Sequence, residues 1–286
     1  MEGRQGEARR AHPPGSREGR ERPRARPRLP LSAERRAAVV TGASSGIGAA
    51  IARVLAARGD RCILVARRED RLRALAEELD GEHEVCDVSD REAVERTAAA
   101  VRERHPRIHV LVCNAGIPGR RSFLDVEPDR LEQLVRTNYL GGVWCLRAFL
   151  PALEAAGRAD VVNVVSVAGG VAFAPSGPYS ASKHAQLAFS RAVAAELAPR
   201  GIRVHTVSPG FVETEGFPQR KALSSPLFRR AVIEPEAVAR HVLRVLERGP
   251  SETYVPAWYR VFAVVQALTP GLVRRLAPQS AYRKRK

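Results

Sequence analysis

From Arg36 to about residue 250, short apolar runs alternate with stretches of helical periodicity. Residues 37–41, 62–66, 84–86, 110–113, 161–166 and 204–208 read as strands, and 46–58, 90–104, 128–153, 179–198 and 235–248 as helices. Such alternation builds βαβ units, which close into a parallel sheet with helices on both faces. The run Val161-Val162-Asn163-Val164-Val165 is nearly continuous in apolar residues, as expected of a strand covered on both sides. The expected fold class is α/β, a doubly wound, Rossmann-like parallel sheet in one domain. Such a sheet binds its ligand outside the carboxyl ends of its strands.

Three segments follow from the pattern. Residues 1–32 are rich in Arg, Pro, Gly and Glu with no apolar period, so they cannot bury enough surface to offset their ordering entropy and read as a disordered basic tail. They contain no apolar core of a secretory signal. Residues 33–253 carry the sheet. Residues 254–286 form a C-terminal extension in which Val261, Phe262, Val264, Val265, Leu268, Leu272, Val273 and Leu276 are interrupted by Pro270. They read as an amphipathic helix, a break and a second short helix. That extension either packs on the core or a partner subunit, or lies on a membrane surface with Trp258, Tyr259 and the Arg/Lys end at the headgroups.

Composition narrows the field. At 286 residues and 44% apolar, the chain can bury one sizeable core. No stretch approaches the length of uninterrupted apolar residues that a transmembrane span needs. The net charge of +16 sits mostly at the ends: eleven Arg against five Glu in residues 1–36, and six cations among Arg274, Arg275, Arg283, Lys284, Arg285 and Lys286. The body has no RNA-recognition motif, zinc finger or basic recognition helix, which disfavours nucleic acid as a partner. Cys62, Cys86, Cys113 and Cys145 lack metal-ligand spacing, and three lie in apolar runs. They read as buried, reduced thiols of a cytoplasmic protein, with no disulfide framework and no metal site.

The strand 37–41 runs into Thr41-Gly42-Ala43-Ser44-Ser45-Gly46-Ile47-Gly48 and then into a helix. Glycines let the backbone turn tightly against a pyrophosphate, and the helix behind them offers free N–H groups and a positive dipole end. Placement between strand and helix is the context that separates a dinucleotide turn from an ordinary surface loop. Where an NAD site would present a carboxylate at the end of the second strand, this chain has Val65-Ala66-Arg67-Arg68. A guanidinium there can pair with the 2′-phosphate of NADP. The alternative is a pair of exposed loop charges.

Tyr179-Ser180-Ala181-Ser182-Lys183 opens the helix after the fifth strand, and its i, i+4 spacing puts phenol and ammonium on one face. Ser166 ends the preceding strand, and Asn138 lies within the helix expected over 128–153. Singly these are weak signals: a strand-end serine is usually a turn residue and a mid-helix Asn is commonly solvated. Taken in order with Thr41–Gly48, Asn114-Ala115-Gly116 and Ser208-Pro209-Gly210, they resemble the short-chain dehydrogenase/reductase family over about residues 36–250. Cys113 stands where many members carry a second Asn.

The resemblance implies hydride exchange between NADP(H), with NAD(H) as the alternative, and a small carbonyl compound or secondary alcohol, in a homodimer or homotetramer. It makes Tyr179 the proton donor and acceptor, Ser166 the partner of the carbonyl oxygen, Lys183 a ligand of the nicotinamide ribose and Asn138 the anchor of a relay water. Lowering a tyrosine pKa from about 10 to about 7 takes roughly 4 kcal/mol of phenolate stabilisation, which a neighbouring ammonium in a water-poor cleft can contribute. The resemblance further implies Asp87 and Val88 at the adenine, Asn114, Ala115 and Gly116 on the ribose side, Pro209, Gly210 and Val212 along the cofactor, and Thr214 at the carboxamide. The segment 215–234, with Phe217, Pro218, Leu223, Pro226, Leu227 and Phe228, is then expected as a lid. Val171, Ala172, Phe173 and Ala174 form the opposite wall, and both being apolar favours a hydrophobic substrate.

Overall fold

The computed structural model describes residues 35–119, 121–172, 175–218, 231–249 and 251–271. The tail expected at 1–32, most of the lid segment (219–230), Phe173, Ala174 and the second C-terminal helix from Leu272 lie outside them.

Seven parallel strands form one sheet in the order β3-β2-β1-β4-β5-β6-β9. They are β1 (Ala37–Thr41), β2 (Arg61–Ala66), β3 (Glu82–Val85), β4 (Val110–Cys113), β5 (Ala159–Val164), β6 (Ile202–Pro209) and β9 (Glu252–Val255). A separate parallel pair joins β7 (Phe211–Val212) to β8 (Val232–Ile233). The expectation of a doubly wound α/β sheet therefore holds.

Strand alternation explains why helices cover both faces. Successive side chains point to opposite sides, so Ala38 and Val40 of β1 enter one apolar cluster and Ala37 and Val39 the other. The first cluster is closed by α1 (Gly46–Arg58), α2 (Glu69–Leu79) and α7 (Pro235–Arg248), through Ile51, Leu55, Leu72, Val242 and Leu246. The second is closed by α3 (Arg91–Arg104), α5 (Gly141–Ala155) and α6 (Gly177–Leu197), through Val101, Phe149, Leu153 and Leu197.

Two expectations are refined. The helix expected over 128–153 consists of α4 (Pro128–Val135), a π-helical turn over Arg136–Leu140, and α5. The strand expected at 161–166 begins earlier, at Ala159, and ends at Val164. Beyond β9, α8 (Tyr259–Leu268) breaks at Thr269, just before Pro270, as a proline that cannot continue the helix requires.

The order reverses between β1 and β4, so their carboxyl ends flank the crevice of the sheet. The first turn of α1 fits there because Gly48 has no side chain: a Cβ would lie 2.3 Å from Gly42 O and 2.6 Å from Asn114 Nδ2. Gly48→Ala should therefore cost about 1–3 kcal/mol by overpacking and lower the melting temperature by about 3–10 °C. Thermal denaturation followed by circular dichroism checks this, and an unchanged midpoint would mean that α1 shifts freely.

Candidate active site

The carboxyl ends of β1 and β4 are stitched together by side chains. Thr41 Oγ1 donates to Val112 O (3.1 Å) and accepts from Asn114 N (3.0 Å) and Ala115 N (3.1 Å). Asn114 Nδ2 donates back to Thr41 O at 3.0 Å. The glycine turn then leaves β1 with Gly42 at φ +67° and Gly46 at φ +55°, left-handed conformations that a side chain resists. At Ser45, the N-cap of α1, no side-chain cap is formed.

A cleft of about 320 Å³ opens at this edge. Its walls include Gly42, Ser44, Ser45, Gly46 and Ile47 from the turn, and Arg67, Arg68, Asp87 and Val88 from the ends of β2 and β3. Asn114, Ala115 and Gly116 follow β4, Ser166 follows β5, Tyr179 and Lys183 come from α6, and Pro209, Gly210, Val212 and Thr214 follow β6. Of the residues expected at the site, Gly48 and Asn138 are set one layer behind this surface. Val171 and Ala172, expected as a wall, do not line it: Val171 packs with the Tyr254 and Tyr259 cluster, and Ala172 N donates to Gln266 Oε1 of α8.

Asn138 is 1% exposed and sits in the π turn, a helix irregularity often found at functional sites. Its Oδ1 accepts from Ile117 N (2.7 Å), and its Nδ2 donates to Ile117 O (3.1 Å) and Ser182 Oγ (3.1 Å). Ser182 Oγ in turn donates to Tyr179 O at 2.7 Å. One amide thus ties the loop after β4 to the first turns of α6. Asn138 is therefore a buried clamp rather than a solvated helix residue.

Tyr179 is half-buried, with its ring 5.7 Å from that of Phe217. Lys183 is buried, and its Nζ donates to Gln186 Oε1 (2.8 Å) and Val164 O (3.3 Å). Loss of hydration lowers its pKa from 10.5 to about 7. Ser166 Oγ accepts from Ala168 N at 3.1 Å, which uses a lone pair and not the hydroxyl proton. A Cβ at Gly116 would lie 3.3 Å from Asn138 Oδ1 and 3.8 Å from Lys183 Nζ, so the glycine keeps the space between those groups clear.

At the other end, Arg68 donates to Ser44 Oγ (3.1 and 3.2 Å) and Ser45 Oγ (2.6 Å), which draws a guanidinium over the glycine turn. Arg67 pairs with Asp87 at 3.5 Å. Burial would raise the Asp87 carboxyl, but hydrogen bonds from Ser89 and the Arg67 charge outweigh it and hold its pKa below the usual value. The sequence reading missed Glu215, which sits 3.4 Å from Arg68 and also pairs with Arg71. It likewise missed Ile117, Thr137, Ser176 and Phe211 in the cleft wall. Ile117, Thr137 and Phe211 adjoin Gly116, Asn138 and Gly210 in the sequence, but their own residue types carry no chemical signal. The departure Cys113 is buried, with its Sγ 3.8 Å from Gly142 O.

Three kinds of likeness match this architecture. The short chain dehydrogenase family profile matches residues 36–223. Dehydrogenase/reductase SDR family member 7B of Bos taurus is 31% identical over 87% of this chain and 82% of its own length. A 3-oxoacyl-(acyl-carrier-protein) reductase of Bos taurus is 36% identical over 68% of this chain and 81% of its own. An alcohol dehydrogenase from the archaeon Thermococcus sibiricus, solved with 5-hydroxy-NADP, superposes with a TM-score of 0.69 at 31% identity, covering 77% of this chain and 96% of that one. The chain belongs to the short-chain dehydrogenase/reductase family and is an oxidoreductase acting on the CH–OH/C=O pair.

Proposed function

We propose that the chain is an NADPH-preferring reductase of a hydrophobic ketone, or in reverse a dehydrogenase of the secondary alcohol, with Tyr179 carrying the proton. The observation that carries this reading is that Ser166, Tyr179 and Lys183 line the same cleft as the glycine turn. The dinucleotide fits the residues present: left-handed glycines, the amide end of α1, the Arg68 guanidinium above the turn and Arg67 beside it are what a pyrophosphate and a third phosphate need. Gly42, Ser44, Ser45, Gly46 and Ile47 would hold the pyrophosphate, Arg67 and Arg68 the 2′-phosphate, and Asp87 and Val88 the adenine. Asn114, Ala115, Gly116 and Lys183 would hold the riboses, and Pro209, Gly210, Val212 and Thr214 the carboxamide side. When bound, the reduced nicotinamide supplies hydride to the carbonyl carbon.

The side chains handle the proton and the charge. Ser166 donates its hydroxyl hydrogen to the carbonyl oxygen, a bond that strengthens as that oxygen becomes an alkoxide. Tyr179 then transfers its proton to the alkoxide, and the resulting phenolate is stabilised by the Lys183 ammonium. Asn138 Oδ1 keeps one lone pair beyond its bond to Ile117 N, enough to hold a water beside Lys183 that returns the proton. Apolar neighbours of the tyrosine, Phe217 among them, favour a hydrophobic substrate over a sugar or an acid. The preference for NADPH is supported by the guanidinium pair and by the archaeal relative's ligand. Four buried free thiols, with Cys113 pushed up to about 12 by burial, fit a reducing compartment such as the cytoplasm.

Three outcomes test this reading. Tyr179→Phe keeps the ring and removes the proton, so turnover should fall about 10²–10⁴-fold with NADPH affinity little changed. Retention of a tenth of the activity, on the order of what a spectator residue gives, would sink the acid/base role. Changing Arg67→Asp together with Arg68→Ala removes both 2′-phosphate partners and should weaken NADPH binding by roughly ten- to a hundredfold, while NADH is spared or improved. Comparing kcat/KM for the two cofactors decides it: a wild type that prefers NADH would contradict the assignment. Lys183 supplies a pH test. Its folded pKa, about 7, lies below the ordinary 10.5, so between these values the unfolded chain binds more protons and stability rises with pH. Below about pH 7 the folded state instead carries a buried charge. Lys183→Met should therefore be inactive yet melt above wild type at acidic pH, with the gap shrinking as pH climbs toward 10. A variant melting lower throughout would show that Nζ is a net stabilising group.

A further inference from the structure

We propose that the outer side of α8 docks on an anionic lipid surface. The helix has two stripes. Tyr259, Ala263 and Gln266, at i, i+4 and i+7, face the protein: Tyr259 is 3% exposed and packs on Phe211, Ala263 lies against Gly170, and Gln266 Oε1 accepts from Ala172 N at 3.0 Å. Val261, Val264, Val265 and Leu268, at i, i+3, i+4 and i+7, face outward and are 61%, 45%, 40% and 76% exposed. Phe262 (52%) and Trp258 (46%) widen that apolar strip. A stripe of this regularity is what a helix buries, and here it is turned away from the core. Large contiguous apolar patches on a protein surface mark interaction sites.

Charge selects the occupant. Between Pro256 and Lys286 there is no acidic residue, and Arg260, Arg274, Arg275, Arg283, Lys284, Arg285 and Lys286 are all cationic. A twofold contact would bury the same patch on both copies, and a stretch without an acidic residue offers its partner's cations no counter-charge. An anionic bilayer instead accepts both features: the apolar stripe enters the headgroup boundary and the cations meet the lipid charge. Trp258, stacked on Tyr259 at 4.0 Å, stands at the start of the stripe, where an amphipathic ring suits the interface.

The helix that carries the docked face lies beside the active-site cleft through its inner stripe. A Cβ at Gly210, a cleft residue, would lie 2.1 Å from the Tyr259 ring, and α8 touches the segment just after Ser166 through Gly170 and Ala172. Docking would therefore set the cleft next to the lipid, from which a lipid-soluble ketone could reach Tyr179. That consequence rests on the proposed function, whereas docking itself does not.

The test is co-sedimentation of the full chain with phosphatidylcholine vesicles, with and without about 30% phosphatidylserine, over a range of salt. The double variant Val261→Asp/Leu268→Asp changes two exposed positions outside the cleft, and its melting temperature and turnover of a water-soluble ketone serve as controls for folding. The expected result is partition onto the anionic vesicles that falls about tenfold or more in the double variant and also falls with salt. Equal partition of the double variant, or no preference for the anionic lipid, would overturn the proposal. So would light scattering that shows a dimer broken by the variant while neither form binds vesicles. Vesicle binding without turnover of any carbonyl would instead leave docking standing and count against the proposed activity.

Discussion

The site depends on how closely α1 approaches the crossover between β1 and β4. Thr41 Oγ1 bridges the two strand ends, Asn114 reaches back over Gly42, and Gly48 lets the helix start against both. Each contact is modest, since a typical hydrogen bond contributes about 1 kcal/mol. Their joint effect is geometric. They hold the amide end of a helix and two left-handed glycines at the edge where the carboxyl ends of β5 and β6 also arrive. Ser166, Tyr179 and Lys183 can therefore share one cleft with the turn, although they lie more than a hundred residues from it in sequence.

Lysine burial shows what that placement costs. Lys183 is tied to Gln186 and to the end of β5, and burial drives its pKa to about 7. A group held so far below its ordinary value works against folding near neutrality, a common trade at reactive sites. In return, a titratable cation sits one helical turn from the tyrosine, where it can stabilise a phenolate. Asn138 serves the same end by geometry: its clamp on Ile117 and Ser182 fixes the floor on which Tyr179 stands.

What could be read in the sequence was what depends on local chemistry. β1 and β4 are apolar enough that their limits were readable to the residue, and the glycine turn, the Tyr179/Lys183 pair and the two arginines announce themselves by type and spacing. β5 slipped because its start contains Asp160, a carboxylate 3% exposed that His205 (3.0 Å) and Arg203 (3.0 Å) make tolerable. Polar identity argued against a strand that distant partners permit. The π turn escaped because one additional residue per turn leaves hydrophobic periodicity almost unchanged, while it moves Asn138 into the interior. Glu215 was unreadable for another reason: its partners Arg68 and Arg71 are 147 and 144 residues away. β9 was not singled out because Glu-Thr-Tyr-Val is no apolar run, and its place is set by pairing with β6.

The proposed reaction moves a hydride in this cleft to the carbonyl carbon of a hydrophobic ketone while Tyr179 delivers the proton. The most direct measurement incubates the full chain with a panel of hydrophobic ketones and the matching secondary alcohols, following nicotinamide absorbance together with product formation. The account predicts that NADPH disappears in step with reduction of at least one ketone, one for one, and that the matching alcohol drives the reverse reaction with NADP. A cleft that binds NADPH yet turns over no member of a broad panel in either direction would contradict it.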